Sequence, residues 1–253
     1  MITGRHSPIN AENSWTLKPL GFIQSCYKEK FGIPRQPGLV TAAYARLELE
    51  AEFSQPEAFR GLEQFSHIWL IFCFHANETT AWSNTVRPPR LGGNKRLGVF
   101  ATRSMFRPNP LGLSVARLEK IEFNGKQACL HLSATDLLDG TPVFDIKPYL
   151  PYADSISNAQ GGFAEQAPLA KWVVTFTAQA SLQCQVKSQQ LATNLELLIQ
   201  QILEQDPRPA YRATEEDARI YRMKLYDFDL QWHYKASVIE VLGLSDLSGT
   251  PIY

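Results

Sequence analysis

Asn124-Gly125 stands between two strand candidates, Leu111–Phe123 and Gln127–Thr135. A two-residue Asn-Gly loop suits the type I′ turn, whose twist matches that of paired antiparallel strands. The two runs are therefore expected to form one long hairpin. Strands are also expected at Leu17–Ser25, Leu39–Leu49 and Arg96–Thr102, with a short helix at Glu57–Leu62. His67–His75 (HIWLIFCFH) is nearly all apolar and aromatic, which fits a buried strand. The first part of the chain thus reads as strand-dominated.

Residues 155–168 (SISNAQGGFAEQAP) are small, polar and turn-forming, and read as a linker. Beyond it, Trp172–Gln179 alternates as a strand and Leu191–Glu204 has helical apolar spacing at Leu191, Leu195, Leu198 and Ile202. Arg219–Leu230 and Val238–Leu244 read as closing strands. The expectation is two parts: a mainly β domain over 1–160 and a smaller α+β domain over 161–253.

With 253 residues, 44% of them hydrophobic, the chain can bury a core of that size. Lys+Arg and Asp+Glu both number 25, so no global field draws it to nucleic acid. RNA binding would need a local basic patch. Cys26, Cys73, Cys129 and Cys184 are scattered, with no CxxC pair, and read as reduced, mostly buried thiols in a cytoplasmic protein. The polar start does not resemble a signal peptide, and the longest apolar stretch, Ile68–Phe74, is too short to span a membrane.

Chemistry concentrates in two segments. ATRSMFRPNPLGLS sets Arg103 and Arg107 four residues apart, with Pro108 and Pro110 forbidding a helix or a central strand. Two guanidinium forks on a stiff loop suit a carboxylate or phosphate, although ordinary surface arginines on a rigid turn explain them equally well. DLLDGTPVFDIKPYLPYAD carries Asp136, Asp139, Asp145 and Asp154, with a tight turn at Asp139-Gly140. Such carboxylates can hold ribose hydroxyls, take up a proton or cap a neighbouring chain. Their spacing matches no EF-hand, and Cys129 with His131 supplies two ligands rather than a zinc set, so no metal is expected. His67 opens the buried strand, where a core histidine and a pocket histidine are both possible. Basic residues recur at Lys28, Lys30, Arg35, Arg87 and Arg90. In QDPRPAYRATEEDARIYR, Arg208, Tyr211, Arg212, Arg219 and Arg222 interleave cations with tyrosine. That pattern can grip RNA or serve as a salt-bridged face. A GxGxxG, a P-loop, GxSxG and HExxH are all missing.

GVFATRSMFRPNPLGLS followed by DLLDGTPVFDIKPYLPYAD strongly resembles the TsaA-like family, whose bacterial members include a tRNA methyltransferase acting on N6-threonylcarbamoyladenosine. The likeness continues through FIQSCYKEKFGIPRQPGLV, FSHIWLIFCFH, RPPRLGGNKRLGVFATR and QDPRPAYR, from about residue 17 to 235. It implies an N-terminal, single-sheeted antiparallel β-barrel that binds S-adenosylmethionine (SAM), a smaller C-terminal α+β domain, and a homodimer. Carried over by position, the SAM pocket would comprise Gln24, Ser25, Cys26, His67, Ile68, Arg103, Leu113, Asp136, Leu137, Leu138 and Asp139. Relatives often read Arg-Ser-Pro where this chain has Gln24-Ser25-Cys26, which weakens Gln24 as a side-chain ligand. The implied reaction is methyl transfer to the exocyclic nitrogen of the modified adenosine beside the anticodon. Asp139 and Asp145 are the candidate bases. Arg107 or Lys147 is the candidate partner of the threonyl carboxylate, and Arg87, Arg90, Arg208, Tyr211 and Arg212 are candidate tRNA contacts. Two other classes compete: a SAM- or RNA-binding sensor without turnover, and a methyltransferase acting on a small molecule.

Overall fold

A computed structural model describes residues 15–77, 82–170, 172–208, 219–250 and 252. The first part is a closed antiparallel barrel. Its strands are β1 (Gly21–Ser25), β2 (Tyr44–Leu49), β3 (His67–Cys73), β6 (Leu111–Asn124), β7 (Gln127–Ser133) and β8 (Pro142–Pro148), in the order β1-β2-β7-β6-β3-β8. A two-stranded ribbon, β4 (Thr85–Val86) with β5 (Leu97–Gly98), lies in the connection between β3 and β6. The single-sheeted barrel and the smaller α+β part are the architecture that the family resemblance implies.

The expected hairpin is present: Asn124 faces Gln127, and Gly125 takes the left-handed φ of 64° that the turn needs. In β3 burial alternates, with Ile68, Leu70 and Phe72 inside and His67, Trp69, Ile71 and Cys73 on the outer wall. The barrel closes through a short seam in which Gly21 faces Val143 and Phe22 faces Pro142. Gly140 N–H donates to the Ile23 carbonyl at 2.7 Å, and Ile23 N–H donates to that of Thr141 at 2.9 Å. Gly21 is required at the seam, because a Cβ there would lie 2.2 Å from the Glu48 carbonyl oxygen.

A one-turn helix, α1 (Pro151–Asp154), leads into the linker, and every residue from 151 to 170 is exposed. The second part is a four-stranded sheet of order β10-β11-β12-β9: β9 is Val173–Phe176, β10 Ile220–Leu225, β11 Phe228–Lys235 and β12 Val238–Asp246. Helices α2 (Ala178–Leu191) and α3 (Leu195–Glu204) pack against β9 and β12. The apolar stripe of α3 enters the core at Leu195, Leu198, Ile199, Ile202 and Leu203. Asn194 caps α3 by accepting from Leu197 N–H at 3.1 Å.

The two parts are tied by the loop between β1 and β2. Cys26, Tyr27, Val40, Ala42 and Ala43 leave the barrel and join the core of the second part. Tyr226 N–H donates to the Cys26 carbonyl at 2.8 Å, and Gln201 Oε1 accepts from Ala42 N–H at 2.9 Å.

Several sequence expectations need correction. Leu39–Leu49 is strand only from Tyr44, because Val40–Ala43 turn into the second core. Glu57–Leu62 is a 3-10 turn at Pro56–Phe59, too short for an α-helix. Arg96–Thr102 is a two-residue strand followed by a 3-10 turn at Val99–Ala101. β8 was missed because prolines bound it at both ends, and α2 because its apolar residues trace no stripe. Trp172–Gln179 therefore ends early, with Thr177 Oγ1 capping α2 through Ala180 N–H at 3.1 Å. Arg219–Leu230 is two strands folded at Tyr226-Asp227, where Tyr226 takes φ 52° without a glycine to mark the turn.

Candidate active site at the barrel mouth

The C-terminal ends of β1, β3 and β7 and the N-terminal ends of β2, β6 and β8 meet at one mouth of the barrel. β7 stops pairing with β6 at Ser133–Arg117, so residues 134–139 run across that mouth. Three anchors hold this crossing. Ser25 N–H donates to Asp139 Oδ1 at 2.8 Å, Ser25 Oγ donates to the Leu137 carbonyl at 2.7 Å, and Asp139 N–H donates to the Tyr27 carbonyl at 2.9 Å. Lys28 Nζ completes the cradle at 2.7 Å from Asp139 Oδ2. Both oxygens of Asp139 are thus engaged.

Asp136 is held differently. Its Oδ1 accepts from Ser114 Oγ at 2.5 Å. Burial raises its pKa, and the Ser114 hydrogen bond and the nearby Arg103 charge offset this only in part. A carboxyl so placed keeps its proton longer than an exposed one does. Arg103 is exposed on the rim and donates to Gln36 Oε1 at 2.5 Å. Leu113 is 56% exposed, an apolar side chain without full cover.

Of the residues singled out from sequence, the fold gathers Ser25, Asp136, Leu137, Leu138, Asp139 and Arg103 around this crossing. Cys26 and Leu137 turn their side chains into the cores, and burial pushes the Cys26 thiol up to about 12. Gln24 points outward from β1. His67 and Ile68 lie at the other end of β3, with His67 about 20 Å from Cys73 at the strand rise of about 3.3 Å per residue. There His67 Nδ1 meets Ser66 Oγ at 2.9 Å and its ring packs edge-on to Tyr149, while Ile68 is core.

The histidine at the mouth is His75, just past the other end of HIWLIFCFH. A Cβ on Gly140 would lie 3.8 Å from its Nε2, and it feels the charges of Asp139 and Lys30. Burial lowers its pKa, so the ring is neutral at pH 7. Sequence offered a histidine at both ends of the strand, and only the direction of β3 tells them apart. Lys28, Gln36 and Ser114 also reach the site; all three lie inside segments that carry the family likeness, but only their tertiary partners mark them as site residues.

Asp145 and Lys147 pair with each other at 3.1 Å on the outer wall of β8, where Asp145 faces Ile71. Arg107 Nη1 donates to the carbonyls of Thr102 at 2.8 Å and Val99 at 3.3 Å. Arg87 and Arg90 are exposed, and Arg90 donates to the Gln166 carbonyl in the linker. Arg208 is corrected: it is 1% exposed, paired with Asp206 at 2.9 Å and set 3.5 Å from the Tyr234 ring centroid, so it belongs to the core of the second part. Tyr211 and Arg212 lie outside the described residues. The four thiols are free, three of them buried. Among the described residues no group of three or more metal-ligating side chains converges, and no helix is long and apolar enough to cross a membrane.

Known proteins resemble this chain along nearly its whole length. Residues 22–155 match the model of the tRNA-methyltransferase O N-terminal domain, and residues 169–247 match that of the TrmO C-terminal domain. The chain is 47% identical over 232 residues to the tRNA (adenine(37)-N6)-methyltransferase of Escherichia coli K12, covering 92% of this chain and 98% of that one. It is 49% identical over 231 residues to a putative S-adenosylmethionine-dependent methyltransferase, RcsF, of Pseudomonas aeruginosa, covering 91% and 97%. The crystal structure of TrmO from Pseudomonas aeruginosa superposes with a TM-score of 0.77 at 43% identity, covering 92% of this chain and 99% of that one. Two matched domains and relatives aligned end to end place the chain in one family: it belongs to the tRNA-methyltransferase O family.

Proposed function

We propose that this chain is a SAM-dependent methyltransferase acting on N6 of adenosine 37 of tRNA, the adenosine bearing a threonylcarbamoyl group. One observation carries the reading: in a chain of this family, Asp136 and Asp139 are both fixed on the segment that crosses the barrel mouth, and the rim cation Arg103 acts on Asp136. The donor set fits SAM. Arg103 offers a guanidinium to its carboxylate, the lone pairs left on the Asp139 oxygens offer acceptors to ribose hydroxyls or the ammonium, and Leu113 offers apolar cover for adenine. When bound, SAM supplies an electrophilic methyl on a sulfonium.

The chain's own residues then have two tasks. They must hold the target nitrogen within roughly 3–3.5 Å of the methyl it takes, and they must accept its proton. Asp136 suits the second task, because burial raises its proton affinity and Ser114 engages only Oδ1. Asp139, with both oxygens taken, positions the crossing segment, and Asp145 is paired with Lys147 on the outer wall. Arg107 is our candidate for the threonyl carboxylate, since its guanidinium has donors beyond the Nη1 group spent on the loop. We also read residues 1–160 and 161–253 as the working division. We read the enzyme as a cytoplasmic homodimer, as the family resemblance implies.

The test is methyl transfer from labelled SAM to two tRNA pools, one with threonylcarbamoyladenosine and one from cells unable to make it. Label in the modified pool alone supports the reading. Label in both pools removes the threonylcarbamoyl requirement. Label in neither, with SAM bound, turns the assignment to a sensor or to a small-molecule acceptor.

A further inference from the structure

The stretch from Trp82 to Pro110 holds Arg87, Arg90, Lys95, Arg96, Arg103 and Arg107 and no Asp or Glu, in a chain whose net charge is zero. The remainder of the chain is correspondingly acidic, so this segment is where a polyanion meets positive charge. Arg87, Arg90, Lys95, Arg96 and Arg103 are exposed.

Aromatic rings are exposed in the same place. Phe100 is 71% exposed, Trp82 48% and Phe106 42%. Single exposed apolar residues are ordinary, but three aromatic rings on one basic loop system form a patch. Trp82 and Phe100 lie nearly parallel, with ring centroids 6.4 Å apart and planes 27° apart. The Arg107 guanidinium carbon sits 5.6 Å from the Phe100 centroid, while its Nη1 binds the carbonyls of Val99 and Thr102 on either side of that ring. The loop is thereby braced with Phe100 presented to solvent. Arg103, on the rim of the active site, is three residues further along.

We infer that Trp82 and Phe100 form a stacking platform for an unpaired base of the substrate RNA next to the methylated adenosine, with the surrounding arginines following its backbone. This rests on the proposed function. An unpaired base presents a flat π-face that exposed aromatic rings take up whatever its identity, and cations between the rings neutralise the phosphates. A second copy of the chain is the other occupant to consider. An isologous contact centred here would set six cations against the same six, which charge opposes.

The test uses the full-length protein and a 17-nucleotide RNA hairpin with the anticodon-loop sequence. Binding is read by fluorescence anisotropy, SAM binding by calorimetry and mass by sedimentation. Phe100→Ala and Trp82→Ala are each expected to weaken RNA binding roughly 5- to 150-fold, the worth of one stacked base. Phe100→Trp keeps the affinity, and SAM binding and mass stay unchanged. Equal RNA affinity in wild type and both alanine variants overturns the platform. A change in mass instead assigns the face to contact between copies and also overturns it. If wild type binds SAM but neither the hairpin nor whole tRNA, the proposed function itself fails, an outcome distinct from either of these.

Discussion

Ser114 donates a 2.5 Å hydrogen bond to Asp136, linking the barrel wall to the segment that crosses its mouth. The bond stabilises the ionised carboxyl, yet burial outweighs it and the pKa ends above the usual carboxylate value. Asp136 is therefore a group whose charge the fold resists and the proposed chemistry uses.

Folding favours the protonated form of Asp136. Its stabilising contribution is complete below the unfolded carboxyl pKa and is lost as pH rises through the folded one. Asp136→Asn, which mimics the neutral form, is expected to keep or raise the Tm at pH 7. Methyl transfer should fall by about 10²-fold or more. A melting curve and an initial-rate assay on the same preparation check this, and a variant that melts normally with full activity removes Asp136 as the base.

The charge of Arg103 partly offsets the burial of Asp136. Arg103→Ala should let the Asp136 pKa rise further, moving the acidic limb of kcat/KM to higher pH, while Arg103→Lys leaves the limb in place. The position of the limb is independent of any loss in SAM affinity, so a pH–rate profile separates the two effects. An unmoved limb in Arg103→Ala contradicts the coupling.

Asp139 binds one backbone N–H and one partly exposed lysine. Loss of the charged hydrogen bond leaves Ser25 N–H without its partner, so Asp139→Ala is expected to cost about 1–3 kcal/mol. Lys28→Ala removes an ion pair that solvent already screens, and is expected to cost less than about 1 kcal/mol. Urea titrations rank the two, and a larger effect from Lys28→Ala would falsify this account of the anchor.

In the second part, Arg208 and Tyr234 both donate to Asp206 at 2.9 Å, and Trp172 Nε1 donates at 3.1 Å. Although burial pushes the Asp206 pKa up, these bonds carry it below the usual range. The associated stability is present above the unfolded carboxyl pKa and lost as pH falls through the folded one. Arg208→Ala strands a buried carboxylate and is expected to cost about 3–5 kcal/mol. The double variant Arg208→Met with Asp206→Asn should cost less. Unchanged Tm in Arg208→Ala, with only RNA affinity lowered, would return Arg208 to the surface role its sequence neighbours suggested.

Local chemistry made part of the fold legible. The Asn124-Gly125 turn is decided by what two residues can do with their own φ and ψ, and α3 by apolar spacing along one helix. The linker follows from composition, and residues 151–170 are indeed exposed. The stiff Arg103 loop and the Asp136–Asp139 turn were also visible, because proline and Asp-Gly constrain the backbone directly.

Other features depend on partners far along the chain. β8 is a strand because β3 and β1 supply its hydrogen bonds, despite prolines at both ends. Arg208 is buried because Asp206, Trp172 and Tyr234 converge on it, whereas its sequence neighbours suggest a surface cation. His67 and His75 differ only in which barrel mouth the direction of β3 gives them. By itself the sequence determined the Asn124-Gly125 and Asp139-Gly140 turns, the α3 stripe and the chemical types gathered for the site, all of which rest on interactions between near neighbours. Tertiary structure alone decided which carboxyl resists ionisation, which histidine stands near Asp139 at the mouth and which arginine is core, because burial and charge coupling depend on distances that barrel closure sets.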